Sequence, residues 1–209
     1  MLMSNWQYID TNFGGVIHKN SCNKQIKNIV IVGPHASGKT YMFNHLKSVI
    51  DHDKFSFPKR LTSRPVRLND DIGENTFTDR EEINSAKPLI SWQRPTTDSE
   101  DEYYAFTNLH DDKIAVLSAN NGILPSIQKT EGLVNFANSL IVCIYAPLEI
   151  RQERILDLTP DLRSEERYKR LKESVSDILP ESDVLVLNFE PFVDSTAKAL
   201  TELIERICK

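Results

Sequence analysis

The sequence predicts an α/β protein of three layers, a parallel sheet between helices, carrying an inserted small lobe and a helical lid. Three observations lead there. Four short apolar runs, at Asn28–Val32 and at residues 113–118, 140–146 and 184–188, are continuous rather than alternating, as expected of strands buried on both faces. Stretches of helical spacing separate them, which implies crossovers between parallel strands. Between the first two runs, residues 57–110 are polar, turn-rich and interrupted by Pro58, Pro65, Pro88 and Pro95, so they read as an insertion that the central sheet excludes.

Taken in order, residues 1–26 show no sustained period and read as an N-terminal extension. The first strand stops at Gly33. From Lys39 the pattern turns helical, with Met42, Phe43, Leu46, Val49 and Ile50 forming one apolar face. Helical spacing recurs at residues 149–156, 164–179 and 194–208. The expected division is a core of residues 27–56, 111–153 and 172–209, a lobe of 57–110 and a lid of 154–171.

Composition narrows the function classes. The chain has 209 residues, 40% hydrophobic and 26% charged, and no apolar stretch approaches the roughly 20 residues that cross a bilayer. The expectation is a protein without a membrane partner. Its start has no basic residue ahead of an apolar run, which points to the cytoplasm. Cys22, Cys143 and Cys208 are odd in number and far apart, as reduced thiols would be, and Cys143 sits inside an apolar run. A net charge of -5 excludes a broad nucleic-acid surface, so any phosphate site must be concentrated.

Residues 33–40, Gly33, Pro34, His35, Ala36, Ser37, Gly38, Lys39 and Thr40, satisfy the Walker A spacing of a P-loop NTPase, between a buried strand and an amphipathic helix. Glycines let successive N–H groups curl inward on an anion, and the helix N-terminus adds positive potential. Lys39 then serves the β and γ phosphates of ATP, the Thr40 hydroxyl can hold Mg²⁺, and Tyr41 completes the nucleotide-binding stretch. A plain glycine turn does not explain a cation at a helix start, where it opposes the macrodipole unless an anion is present. His35 is read as presenting its backbone alone.

Downstream come Arg64, Pro65 and Arg67, two guanidinium groups three apart beside a proline, suited to bidentate capture of a phosphate or to surface ion pairs. With Thr62, Ser63, Arg64 and Pro65, then Gly73, Glu74 and Asn75, then Trp92, Tyr103 and Tyr104, the chain over residues 28–208 resembles the guanylate kinase family. Among guanylate kinase-like enzymes, its segments are most similar to those of ribose 1,5-bisphosphate phosphokinases. The resemblance implies an ATP-dependent kinase acting on a small phosphorylated substrate, with Arg64, Arg67, Ser91 and Tyr104 in the acceptor pocket; Trp92 itself is read as packing. Against that family, Asn75 stands where a phosphate-binding tyrosine is expected and Ser91 where a glutamate reads guanine. The acceptor expected is therefore a small phosphorylated molecule, with ribose 1,5-bisphosphate placed first and a nucleoside monophosphate such as guanylate as the alternative. Ser118, Asn120 and Asn121 occupy the strand end where the family places an aspartate, which leaves open a nucleotide-binding module whose catalysis has decayed.

Phosphoryl transfer needs placement and cations more than covalent help. Lys39, Arg154 and Arg170 are the catalytic candidates, the two arginines on a lid that closes over the γ phosphate. The alternative for the lid arginines is pairing with Glu149, Glu153, Glu166 and Glu173 on a solvated helix.

Overall fold

Isoleucine and valine make the centre of this molecule. The computed structural model describes residues 6–10, 15–19, 25–66, 74–94, 101–107, 112–129, 134–158, 171, 181–188 and 193–208. Its strands are β1 (Trp6–Asp10), β2 (Gly15–Lys19), β3 (Asn28–Val32), β4 (Phe55–Ser56), β5 (Arg60–Thr62) and β6 (Asn75–Phe77), then β7 (Ile90–Arg94), β8 (Glu102–Phe106), β9 (Ile114–Ser118), β10 (Ser139–Tyr145) and β11 (Val184–Leu187). Its helices are α1 (Lys39–Val49), α2 (Arg80–Ser85), α3 (Leu124–Lys129), α4 (Leu148–Leu158) and α5 (Val193–Ile207).

β3 is buried along its whole length because both faces are covered. Ile29 and Ile31 join the cluster that holds Met42, Phe43 and Leu46 of α1 and Leu200, Leu203 and Ile204 of α5. Val30 and Val32 join a second cluster with Leu124 and Ile127 of α3. Alternate side chains of one strand thus feed two cores, and each fully buried Leu or Ile contributes about 1.5–3 kcal/mol.

The main sheet runs β1-β2-β11-β10-β3-β9-β4. From β11 to β4 every pairing is parallel. After β3 the chain fills the β4 and β9 side, then crosses to β10 on the other. The carboxyl end of β3 is therefore a topological switch point, where open α/β sheets leave a crevice for ligands.

Two expectations are corrected. The sheet is mixed, because residues 15–19 pair antiparallel with β11 and residues 6–10 pair antiparallel with residues 15–19. What read as a periodless extension contributes two strands. Five residues such as Gly15–Lys19, with Val16 alone in the main core, carry too short a pattern to be read as a strand.

The inserted segment forms its own sheet, β6-β5-β8-β7. It does not form its own core: Ile90, Trp92, Tyr104 and Phe106 belong to the second cluster with Val30 and Val32. The Trp92 ring stacks on Tyr104 at 5.4 Å and its Nε1 donates to Asn120 Oδ1 at 3.0 Å, tying the insertion to the loop after β9. Trp92 thus packs as expected. The helix expected at 164–179 falls almost wholly outside the described residues, as do Cys22, Arg67 and Arg170. Among the described residues, no helix is long and apolar enough to cross a membrane.

Candidate functional site

The turn between β3 and α1 holds the phosphate-loop motif. Gly33 sits at φ 151 and Gly38 at φ 94, in the half of backbone space that glycine alone enters freely. A Cβ on Gly33 would lie 2.2 Å from the Ile144 carbonyl oxygen, and one on Gly38 would lie 2.2 Å from the Asn188 amide nitrogen. Ala36 takes φ 60, a conformation that costs an L-residue about 1–2 kcal/mol. Such strain concentrates where a loop is shaped for a ligand. α1 starts with no side-chain cap at Gly38 and no acidic residue in its first turn. An anion is the partner that such a helix start lacks.

Side-chain donors, one from the motif itself and three from later in the chain, hold the loop's carbonyl oxygens. Lys39 Nζ donates to Gly33 O at 2.8 Å and to Pro34 O at 2.9 Å. Arg151 and Arg154, one turn apart on α4, donate to His35 O at 3.5 Å and Ala36 O at 3.3 Å. Asn188, just past β11, donates through Nδ2 to Ser37 O at 2.7 Å. From the other side, Asn121 Oδ1 accepts the Gly33 N–H at 3.2 Å.

The loop opens into a cavity of about 450 Å³ that also reaches the inserted sheet. Lys39, Arg60, Arg64, Arg94 and Arg154 line it, with Glu74 the one carboxylate in that lining among the described residues. Strand register explains the convergence. Trp92 pairs with Tyr104 and Arg94 with Glu102, while Arg60 pairs with Phe106 and Thr62 with Tyr104, so alternate residues of three strands share the face toward the cavity. Arg60 is held by Asn75 Oδ1, at 3.0 Å from Nε and 2.8 Å from Nη2, and by Ser118 O at 3.0 Å from Nη1. Its guanidinium also lies 5.4 Å from the Tyr104 ring centre.

Beside it is a buried carboxylate, Glu102, which accepts from the Tyr104 hydroxyl and pairs with Arg94 Nη1 at 3.7 Å. Burial first, and then the Glu102 charge, hold the Tyr104 phenol above its ordinary range. Cys143, paired with Val32 across β10 and β3, lies in the second core, where burial raises its thiol to about 11. It is a neutral packing group, as its apolar run implied.

With this geometry in place, the chain matches the crystal structure of guanylate kinase from Anaplasma phagocytophilum with a TM-score of 0.55, over 88% of this chain and 86% of that one. The fold is that of a guanylate kinase. The guanylate kinase-like fold is shared at 14% identity, so the likeness carries the architecture and not the residues. No protein-family model matches the sequence, and no curated protein matches it either.

Within the guanylate kinase-like fold, His35, Ala36, Gly38, Lys39, Thr40 and Tyr41 line the cavity, and Gly33, Pro34 and Ser37 are buried behind it. Arg64, Tyr104 and Arg154 line it too. Ser91 is a correction: it is exposed, paired with Ala105 and one residue out of phase with Trp92 and Arg94. Strand alternation sends it to the other side of the sheet, so its identity has no bearing on the cavity. Sequence reasoning missed Arg60, Glu74 and Arg94 as lining residues, and Arg151 and Asn188 as holders of the loop. Counting by twos from Tyr104 across the register would have found Arg60 and Arg94. No local signal marks Asn188.

Proposed function

We propose that this chain is an ATP-dependent kinase that transfers the γ-phosphoryl group to a small phosphorylated acceptor. One observation carries the reading: the phosphate loop and the arginines of the inserted segment face a single cavity, Lys39 and Thr40 from the loop and Arg60, Arg64 and Arg94 from the insertion, with Arg154 of α4 lining it too. Both anionic partners then meet cations in one space. In the transfer, the bond from the γ phosphorus to the bridging oxygen breaks, a bond to an acceptor oxygen forms, and ADP leaves. Lys39 and Arg154 are the groups that follow charge across the migrating phosphoryl, and the inserted sheet orients the acceptor.

The residues fit ATP with Mg²⁺. Thr40 offers a hydroxyl at the cavity. Magnesium accepts such a site because it keeps several waters alongside phosphate oxygens. Asn121 Oδ1 and Asn120 Oδ1, at the strand end where an aspartate was expected, hold backbone and Trp92 instead. Arg67 and Arg170 remain proposals of the sequence alone.

Ribose 1,5-bisphosphate is the first acceptor to assay, on the strength of the sequence segments. Guanylate is the second reading, favoured by two observations. Ser91 faces away from the cavity, which removes the argument against guanine, and Glu74 supplies a carboxylate within it that can accept from paired N–H groups. The test measures ADP release from ATP and Mg²⁺ with ribose 1,5-bisphosphate, GMP and the other nucleoside monophosphates. Turnover with one of them, falling by about 10²–10³-fold or more in Lys39→Ala while the fold persists, is the expected result. ATP binding with no turnover on any acceptor would instead favour a nucleotide-binding module, and turnover that Lys39→Ala leaves unchanged would rule out the kinase reading.

A further inference from the structure

We propose that Asn188 and Arg151 are positioning residues for the donor phosphates, holding the carbonyls of Ser37 and His35 so that the Gly38 and Ala36 N–H groups face the cavity. The inference rests on the reading of residues 33–40 as the ATP-binding loop. All five carbonyl oxygens from Gly33 to Ser37 accept from a side chain, but the donors are of two kinds. Lys39 and Arg154 line the cavity, where an arriving phosphate competes for their cations. Arg151 and Asn188 are 5% and 1% exposed and are absent from the cavity lining, so they keep their carbonyls when the phosphates bind.

The trans peptide unit turns that grip into aim. In a planar peptide, C=O and the next residue's N–H point in opposite directions. Fixing Ser37 O outward therefore fixes the Gly38 N–H inward, and fixing His35 O does the same for Ala36 N–H. Asn188 is itself anchored, its N–H donating to Tyr145 O at 2.7 Å. Its amide packs so closely on the turn that a Cβ on Gly38 would meet Nδ2 at 2.2 Å.

Simple space filling does not explain an asparagine here. Asn188 Oδ1 is buried with no hydrogen-bond partner among the described residues, a penalty that an apolar side chain of similar size would avoid. The side chain is kept for Nδ2, the one atom that Ser37 O requires. The partner lies 151 positions away in the chain, so closing the sheet is what completes the loop.

The experiment compares the parent with Asn188→Ala, Asn188→Asp and Arg151→Met, reading ATP affinity by calorimetry, kcat and acceptor KM by ADP release, and the ligand-free fold by circular dichroism. Asn188→Asp separates aiming from packing, because it keeps the volume and replaces the donor with an acceptor facing a carbonyl. Expected are folded variants whose ATP affinity or kcat falls by about 10–10²-fold with acceptor KM unchanged, and Asn188→Asp no better than Asn188→Ala. Parent-like ATP affinity and kcat in the Asn188 variants would overturn the proposal, as would Asn188→Asp behaving like the parent while Asn188→Ala does not. If the Asn188 variants fail to fold, Arg151→Met decides by the same signature. A parent that does not bind ATP at all would sink the loop assignment itself, a separate failure.

Discussion

Gly33 shows how tightly the loop is specified at the level of single atoms. Its φ of 151 and the Ile144 carbonyl oxygen 2.2 Å from a would-be Cβ leave no room for a side chain without moving backbone. Gly33→Ala is expected to lose about 1–3 kcal/mol of stability, measured by urea denaturation, and to weaken ATP binding with it. Tyr104 carries a pH effect. Its phenol is held above the ordinary 10.0 by burial and by Glu102, so the unfolded chain gives up that proton at lower pH than the folded one. The stability it contributes is whole below about pH 10 and is lost as pH rises through the folded value. Tyr104→Phe should therefore cost about 1–3 kcal/mol at neutral pH and show a shallower fall in denaturation midpoint above about pH 10 than the parent.

At the scale of elements, register decides which side chains can work together. Arg60, Arg94 and Tyr104 come from three strands and share a face because each stands an even number of residues from the pairing of Thr62 and Trp92 with Tyr104. Ser91 and Tyr103 stand on the opposite face, where Arg80 of α2 lies 4.1 Å from the Tyr103 ring centre. The β1 and β2 hairpin has a different task. It pairs with β11 and sends Val16 into the main core, covering a strand edge that would otherwise be open. A chain beginning after Lys19 should unfold at lower denaturant and scatter light with rising concentration. A truncated chain as stable and as monodisperse as the parent would show the hairpin to be dispensable.

The whole molecule concentrates positive charge against its own average. The chain carries -5 overall, yet Lys39 and four arginines converge on one cavity between the main sheet and the inserted one. A ligand bound there stabilises the folded state by mass action, about 2.7 kcal/mol at a hundredfold excess over Kd. For a chain of this length that corresponds to a rise in Tm of about 5–10 °C with ATP, smaller at high salt and largely absent in Lys39→Ala. No shift with ATP at low salt would contradict a phosphate site in this cavity.

What the sequence determined by itself is local: the glycine-bearing turn of residues 33–38, the helix behind it, and the apolar runs of β3, β9, β10 and β11. Each is written within a dozen neighbouring residues, by glycine's freedom at φ 94, by β-branched stiffness or by helical spacing. The tertiary structure decided the rest. Whether Ser91 or Arg94 faces the cavity turns on a one-residue phase that only strand pairing sets, and the guard over Ser37 O comes from Asn188, far along the chain. A short strand such as β2 has no pattern of its own until β11 is beside it. Contacts made by sheet closure depend on register and crossover, and those are properties of the assembled backbone, not of any window of sequence.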